Sequence, residues 1–249
     1  MVMGGGWKIA TSVNGINWTT INPQMSTVYG IAYGNGLYVA VGDGGKISTS
    51  LDGITWTSRI NPFPTGIITK VAYGNGKFVV FGVSNLATSP DGITWTLRTN
   101  PLDPQTVYAL LYANGLFVAG DTTGKLATSP DGITWTLRTS PITSYRSILY
   151  ANGLFVAGGL NGEIATSPDG ITWTLQTTPF INATNGVYFA YGNGLYVVVE
   201  FFGQCATSPD GITWTLREKI NTTIRTIIYG NGLFISGGAK IYTAQWPAT

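Results

Sequence analysis

The chain has 249 residues, 44% of them apolar and 12% aromatic, with only 10% charged. That is enough for one large all-β domain with a packed core, but well short of the roughly 25% charge of ordinary soluble domains. A net charge of +2 without any basic run excludes the electrostatic footprint of a nucleic-acid binder. Histidine is absent and cysteine occurs once, at Cys205. The commonest general base, the commonest transition-metal ligand, a disulfide and a cysteine zinc cage are thereby removed, and neither cofactor nor metal is expected.

In chain order, MVMGGGWKIATS contains no apolar stretch long enough for a secretory signal or a bilayer span. The expectation is synthesis without a cleaved signal and no membrane insertion. Trp7–Ser12 reads as a short strand, followed by a turn and a second strand. From there one pattern repeats. Tryptophans at 18, 56, 95, 135, 173 and 214 stand 38 to 41 residues apart, and Asn-Gly pairs beginning at Asn35, Asn75, Asn114, Asn152, Asn193 and Asn231 keep the same period.

Each period reads as four strands, A to D. In one copy A is VYALLYA, and Asn114-Gly115 supplies a tight turn, because both residues tolerate positive φ. B is LFVAG, a Gly-rich loop leads to C (KLATS), PDG turns the chain, and D is TWTLRT. Four hairpin-linked strands at a period of about 40 describe a propeller blade. The expected fold is a six-bladed β-propeller of four-stranded antiparallel blades in a single domain spanning 1–249. Strands A, B and D are counted six times and C seven times. The closing blade is therefore expected to join D from the N-terminus with A and B from the C-terminus. One C copy is left over, Trp7–Ser12 or Lys240–Trp246.

The C–D turns lie near 12–18, 50–56, 89–95, 129–135, 167–173 and 208–214. Their S-P-D-G-I-T-W box resembles the Asp-box of BNR-repeat propellers, found in sialidases, some lectins, photosystem assembly factors and phage tail proteins. The resemblance spans nearly the whole chain, and YGNGLFVAVG-like segments beside ATSPDGITWT are similar to those of bacterial and phage BNR-like proteins. It implies that the box is a hairpin at the rim, away from any site. An Asp side chain can accept hydrogen bonds from the N–H groups of its own turn. Asp52, Asp91, Asp131, Asp169 and Asp210 are accordingly read as turn staples, with Asn14 a weaker copy. Arg59, Arg98, Arg138 and Arg217, with Gln176, read as a solvated rank on strand D, and Cys205 as a buried thiol.

Strand alternation puts the A–B and C–D turns on one face and the D–A and B–C connections on the other. The first face is monotonous; the second differs from copy to copy, as a binding surface on a rigid scaffold does. The candidate ligand-binding residues are Tyr29, Asp43, Tyr108, Asp121, Tyr145, Arg146, Tyr188, Glu200, Phe202 and Arg225. In EFFG, Glu200–Gly203, two adjacent Phe cannot share one side of a strand, so one is expected on the loop. The pattern suggests a non-catalytic module for a glycan or cell-surface receptor, as part of a phage or tail-like particle. The alternative is a structural subunit docked to other chains of a viral or tail-like assembly. A sialidase-like site needs three arginines, and only Arg146 and Arg225 lie outside the rank; a glycoside hydrolase is the least favoured reading.

Overall fold

The structure, a computed structural model, describes residues 2–5, 8–63, 66–180, 183, 185–238 and 241–244. The ends of the two terminal C-strand segments named above, Trp7, Lys240, Gln245 and Trp246, lie outside the described residues.

An N-terminal sheet holds β1 (Val2–Gly5), β2 (Lys8–Thr11) and β3 (Thr19–Ile21). The first complete blade is β4 (Val28–Gly34), β5 (Leu37–Gly42), β6 (Ile47–Ser50) and β7 (Thr57–Arg59), and the second β8 (Ile68–Gly74), β9 (Lys77–Gly82), β10 (Leu86–Ser89) and β11 (Thr96–Arg98). The third is β12 (Val107–Ala113), β13 (Leu116–Asp121), β14 (Leu126–Ser129) and β15 (Thr136–Arg138). The fourth is β16 (Tyr145–Ala151), β17 (Leu154–Gly159), β18 (Ile164–Ser167) and β19 (Thr174–Gln176). The fifth is β20 (Val187–Gly192), β21 (Leu195–Glu200), β22 (Cys205–Ser208) and β23 (Thr215–Arg217). Strands β24 (Ile224–Gly230), β25 (Leu233–Gly238) and β26 (Ile241–Ala244) form the last sheet.

Six A strands (β4, β8, β12, β16, β20 and β24) mark six blades, and all strand pairing is antiparallel. The expected closing blade is not among the strand pairings of the described residues. β3 pairs with β2, and β24–β26 stands as its own sheet of A, B and C strands. The N-terminal sheet also holds a strand that the count above lacks. Val2–Gly5 pairs with Lys8–Thr11 in the place of strand B, so B, like C, occurs seven times. Two of its four residues are glycine, and backbone pairing without an apolar run leaves little trace in the sequence.

The contacts divide the chain into two compact units, one built on β1–β15 and the other on β16–β26. In the first, Val39, Phe63, Ile68, Phe78 and Val80 fill the space between the first and second blades. Val79, Phe81, Val107, Phe117 and Ala119 do the same between the second and third. In the second unit, Val156, Ile164, Val187, Tyr196 and Val198 join the fourth and fifth blades, and Val199, Cys205, Ile224 and Phe234 join the fifth to the last sheet. Blades thus stack face to face, each buried large apolar side chain contributing about 1.5–3 kcal/mol.

Every A–B hairpin is built alike. Asn35 and Gly36 sit at φ 50° and 76°, and the other five Asn-Gly pairs match them, the geometry that suits a two-residue hairpin. Behind each turn an aromatic pair faces across the strands, from Tyr33 and Tyr38 at 4.5 Å to Tyr229 and Phe234 at 4.8 Å, a contact that stabilises sheets. Successive A strands also interlock. A Cβ on Gly34, Gly74 or Gly192 would fall inside the ring of Tyr73, Tyr112 or Tyr229 respectively. Glycine is required there by close approach, not by φ.

Candidate functional site

The box hairpins are closed systems. Ser50 Oγ donates to Asp52 Oδ1 at 2.9 Å and accepts the Gly53 N–H at 2.8 Å. Asp52 Oδ1 also accepts the Ile54 and Thr55 N–H groups at 2.8 and 2.7 Å, and the Trp56 indole donates to the Gly53 carbonyl. The serine and aspartate bonds recur around Asp91, Asp131, Asp169 and Asp210, and Asn14 keeps one of them, from the Ile16 N–H. These backbone donors hold the Asp52 and Asp91 carboxyls down at about 2. With Oδ1 directed at its own turn in all five, the aspartates are staples.

The arginine rank differs from its expectation. Arg59, Arg98 and Arg217 are half-buried and donate through Nε to Thr49, Thr88 and Thr207 at 2.8–3.0 Å, and Gln176 does the same to Thr166. The rank ties strand D to strand C, because a short edge strand has few backbone bonds and gains from a side-chain rung. Cys205 is buried and donates to the Glu218 carbonyl; desolvation pushes its thiol up to about 11, a state without thiolate reactivity at neutral pH.

The opposite end carries the variation. The B–C loop of the first blade is tied to its own D–A connection, with Asp43 N–H donating to the Thr27 carbonyl. Val83 to Ile67, Leu160 to Ser144 and Phe201 to Gly186 repeat the bond. The two variable sets of loops therefore share one face. Just inside it, β4, β8, β12, β16 and β24 each contain one extra residue opposite strand B: Tyr29, Thr69, Tyr108, Arg146 and Arg225. Such β-bulges re-aim a side chain. β20 has no bulge: it pairs without a break from Val187 to Gly192. Four of the ten candidate residues are thus bulge residues, and Thr69 is a fifth bulge position that the sequence reading passes over.

In the first unit Tyr29 and Tyr108 are 38% and 37% exposed. Asp43, half-buried, accepts hydrogen bonds from Thr27, Tyr29 and Ser26, which lower its carboxyl. The same Tyr29 bond to Asp43, with burial and the nearby charge, pushes the Tyr29 phenol up to about 12, and Tyr108 adds to the rise. Tyr29, Asp43 and Tyr108 are therefore brought together. Asp121 is fully buried.

In the second unit Phe202 is 47% exposed and meets Phe201 edge-on at 5.1 Å. The exposed Arg225 holds its guanidinium 5.7 Å from the Phe201 ring, a cation–π contact. The expected exposed phenylalanine is Phe202. The stem of Arg146 lies against Gly186, where any Cβ would meet it. Tyr188 is half-buried on β20. Tyr145 and Glu200 are fully buried. Tyr145 shares a 2.7 Å hydrogen bond with Ser140, and Glu200 accepts the Phe202 N–H at 2.8 Å through Oε2.

Asp121, Tyr145 and Glu200 thus stand at the expected end of the blade without reaching its surface. The two carboxylates end their B strands where the other blades have Gly42, Gly82, Gly159 and Gly238, so their side chains start inside the packed loop rather than on it. Among the described residues no three His, Cys, Asp or Glu side chains converge as metal ligands do.

No protein-family model and no curated protein matches the sequence. Solved structures do match. "Streptogramin B lyase structure" aligns with a TM-score of 0.74 at 14% identity, over 89% of this chain and 84% of that one. YCF48 from Cyanidioschyzon merolae gives 0.73 at 13%, over 97% and 89%, and "YCF48 bound to D1 peptide" gives 0.72 at 17%, over 94% and 84%. The Cps50 (Swd1) β-propeller domain from Myceliophteria thermophila gives 0.67 at 11%, over all of this chain and 96% of that one. At such identities the likeness is one of fold: the chain is a six-bladed β-propeller with four-stranded antiparallel blades.

Proposed function

We propose that the chain is a non-catalytic binding module of the BNR/Asp-box kind that takes a glycan, displayed on a cell surface, on the face carrying the D–A and B–C connections. One observation carries the reading. The serine and aspartate bonds of the rim are the same in every complete blade, whereas the bulge at the inner edge of the other face holds Tyr29, Tyr108, Arg146 and Arg225 at least partly exposed and a buried Thr69 in the second blade. A scaffold needs no such variety. Exposed aromatic faces beside hydrogen-bonding carboxylates suit sugar rings, and the low charge of the chain suits a neutral, hydroxyl-rich partner. Threonine-bound arginines at the rim leave Arg146 and Arg225 as the arginines outside the rank, fewer than a sialidase-like grip requires. A role in a phage or tail-like particle follows from the resemblance of the box segments alone.

The test is a glycan array that includes bacterial surface polysaccharides, probed with the chain and with Tyr108→Ala and Phe202→Ala. Binding that either variant loses while keeping its melting temperature supports the module. Binding indifferent to both variants, or none by the folded chain, overturns it. A protein partner is the second reading, favoured by the likeness to a propeller, YCF48, solved with a D1 peptide; a docked subunit of a larger assembly would fall under it.

A further inference from the structure

Among the described residues, seven strands of type C meet six of type D. β2, β6, β10, β14, β18 and β22 each pair with the D strand that follows them, so none of the six D strands is left over. β26 is the C strand without one. It keeps the C-strand register towards its own strand B. Ile241, Thr243 and Ala244 stand opposite Gly237, Ile235 and Phe234, as Leu86, Thr88 and Ser89 stand opposite Phe81, Val79 and Phe78. The sequence that follows departs from the pattern. Ala244 holds the place of the box serine, and Trp246 that of the box aspartate. The bonds that turn the chain back into strand D in a complete blade are therefore not encoded after β26.

The complete blades show what this edge lacks. In the second, Arg98 pairs with Leu86 and Thr96 with Thr88, and the arginine reaches along the strand to donate to the Thr88 hydroxyl. Arg59, Gln176 and Arg217 do the same from the rungs opposite Ile47, Ile164 and Cys205. Under strand D, the first residue and the threonine of every complete C strand are at most 5% exposed. On β26 the same two positions are open. Ile241 is 40% exposed, and Thr243 is exposed, its hydroxyl without a hydrogen bond among the described residues. The four residues of β26 hold no charge and no proline, and they pair without a bulge, so the usual protections of a free edge are missing.

We propose that the outer edge of β26 is a docking site for an extended segment of another protein. The segment adds as an antiparallel strand whose arginine stands opposite Ile241 and donates to the Thr243 hydroxyl. Backbone pairing gives an added strand its affinity, and a charge-assisted rung selects the partner. A second copy of this chain has no D strand to give, because all six are paired in their own sheets. The site is separate from the face of the D–A and B–C connections, so it stands or falls apart from the glycan reading. The test uses the full chain and a labelled peptide with the sequence of residues 92–99, GITWTLRT, read by fluorescence anisotropy, with melting temperatures to show that each variant folds. The expected result is saturable binding. Alanine in place of the peptide's arginine, or Thr243→Val in the chain, should weaken it by about tenfold or more, as loss of one hydrogen bond to a charged group does. Ile241→Arg sets like charges opposite one another and should abolish binding. A peptide that does not bind, that binds the Ile241→Arg chain equally, or that binds as well without its arginine overturns the proposal. So does a native chain that is dimeric and that Ile241→Arg makes monomeric, since the occupant is then a second copy.

Discussion

The rim of this propeller and the face that carries its D–A and B–C connections are made from the same blades by opposite rules. At the rim, each complete blade spends a serine, an aspartate and a glycine on bonds within one turn, and the first, third and fourth blades add the tryptophan. At the face, an extra residue in strand A stands beside the variable connections, and its type changes between blades: Tyr29, Tyr108, Arg146 and Arg225 are exposed at least in part, whereas Thr69 is buried. A serine hydroxyl and an aspartate Oδ1 taken up within their own turn are engaged in holding that turn rather than a partner. Repetition within a chain therefore marks the frame, and departure from repetition marks where to look for recognition.

Substitutions can break this contrast, and those in the frame should cost most. Gly74→Val puts branched carbon into the Tyr112 ring and should destabilise by about 3 kcal/mol or more, read as a drop in the denaturant midpoint. Ser129→Ala removes the buried hydroxyl that accepts the Gly132 N–H and donates to Asp131. The loss expected is about 1–3 kcal/mol.

Lys70→Met has the opposite sign. The native ammonium is depressed from 10.5 to about 8, so the unfolded chain binds more protons between those values and native stability rises across that window. The variant should be more stable by about 1–3 kcal/mol at pH 7, the gain shrinking as pH climbs through 8 and vanishing above 10.5. A constant gain at all pH values would mean that burial does not hold the ammonium down.

Acid sharpens the frame's side. The Asp91 carboxyl, lowered from 3.8 to about 2 by the Thr94 and Ile93 N–H groups, contributes stability that is present above pH 4 and lost as pH falls towards 2. Asp91→Asn keeps an oxygen acceptor without the titration, so its deficit at pH 7 should be small and should close by pH 2. The smallest effect belongs to the face. Phe202→Ser should shift stability by less than about 0.5 kcal/mol, and a large drop in its melting temperature would place Phe202 in the frame.

Much of this was legible because the signals repeat. Asn-Gly fixed six hairpins, and the box fixed five staples and the alternation of faces. What escaped was either single or backbone-borne. VMGG carries no apolar pattern, so strand β1 is seen only through its pairing. The bulges leave a faint mark: VYGIAYG has one residue more than VYFAYG, counted back from the Asn-Gly turn. Aligned on that turn, Asp121 and Glu200 fall where other blades have glycine, a sign of a closed space rather than an open loop.

The self-contained box hairpin also bears on how such a chain can change over generations. Thr88–Thr99 and Thr128–Thr139 are identical in all their residues, and the bonds that each requires are closed within its own segment. A copying event that inserts or deletes a whole period therefore delivers a rim that folds at once, with no compensating change next door. Each newly copied blade is free to diverge at its bulge, so the architecture can acquire a new specificity by ordinary recombination, one blade at a time.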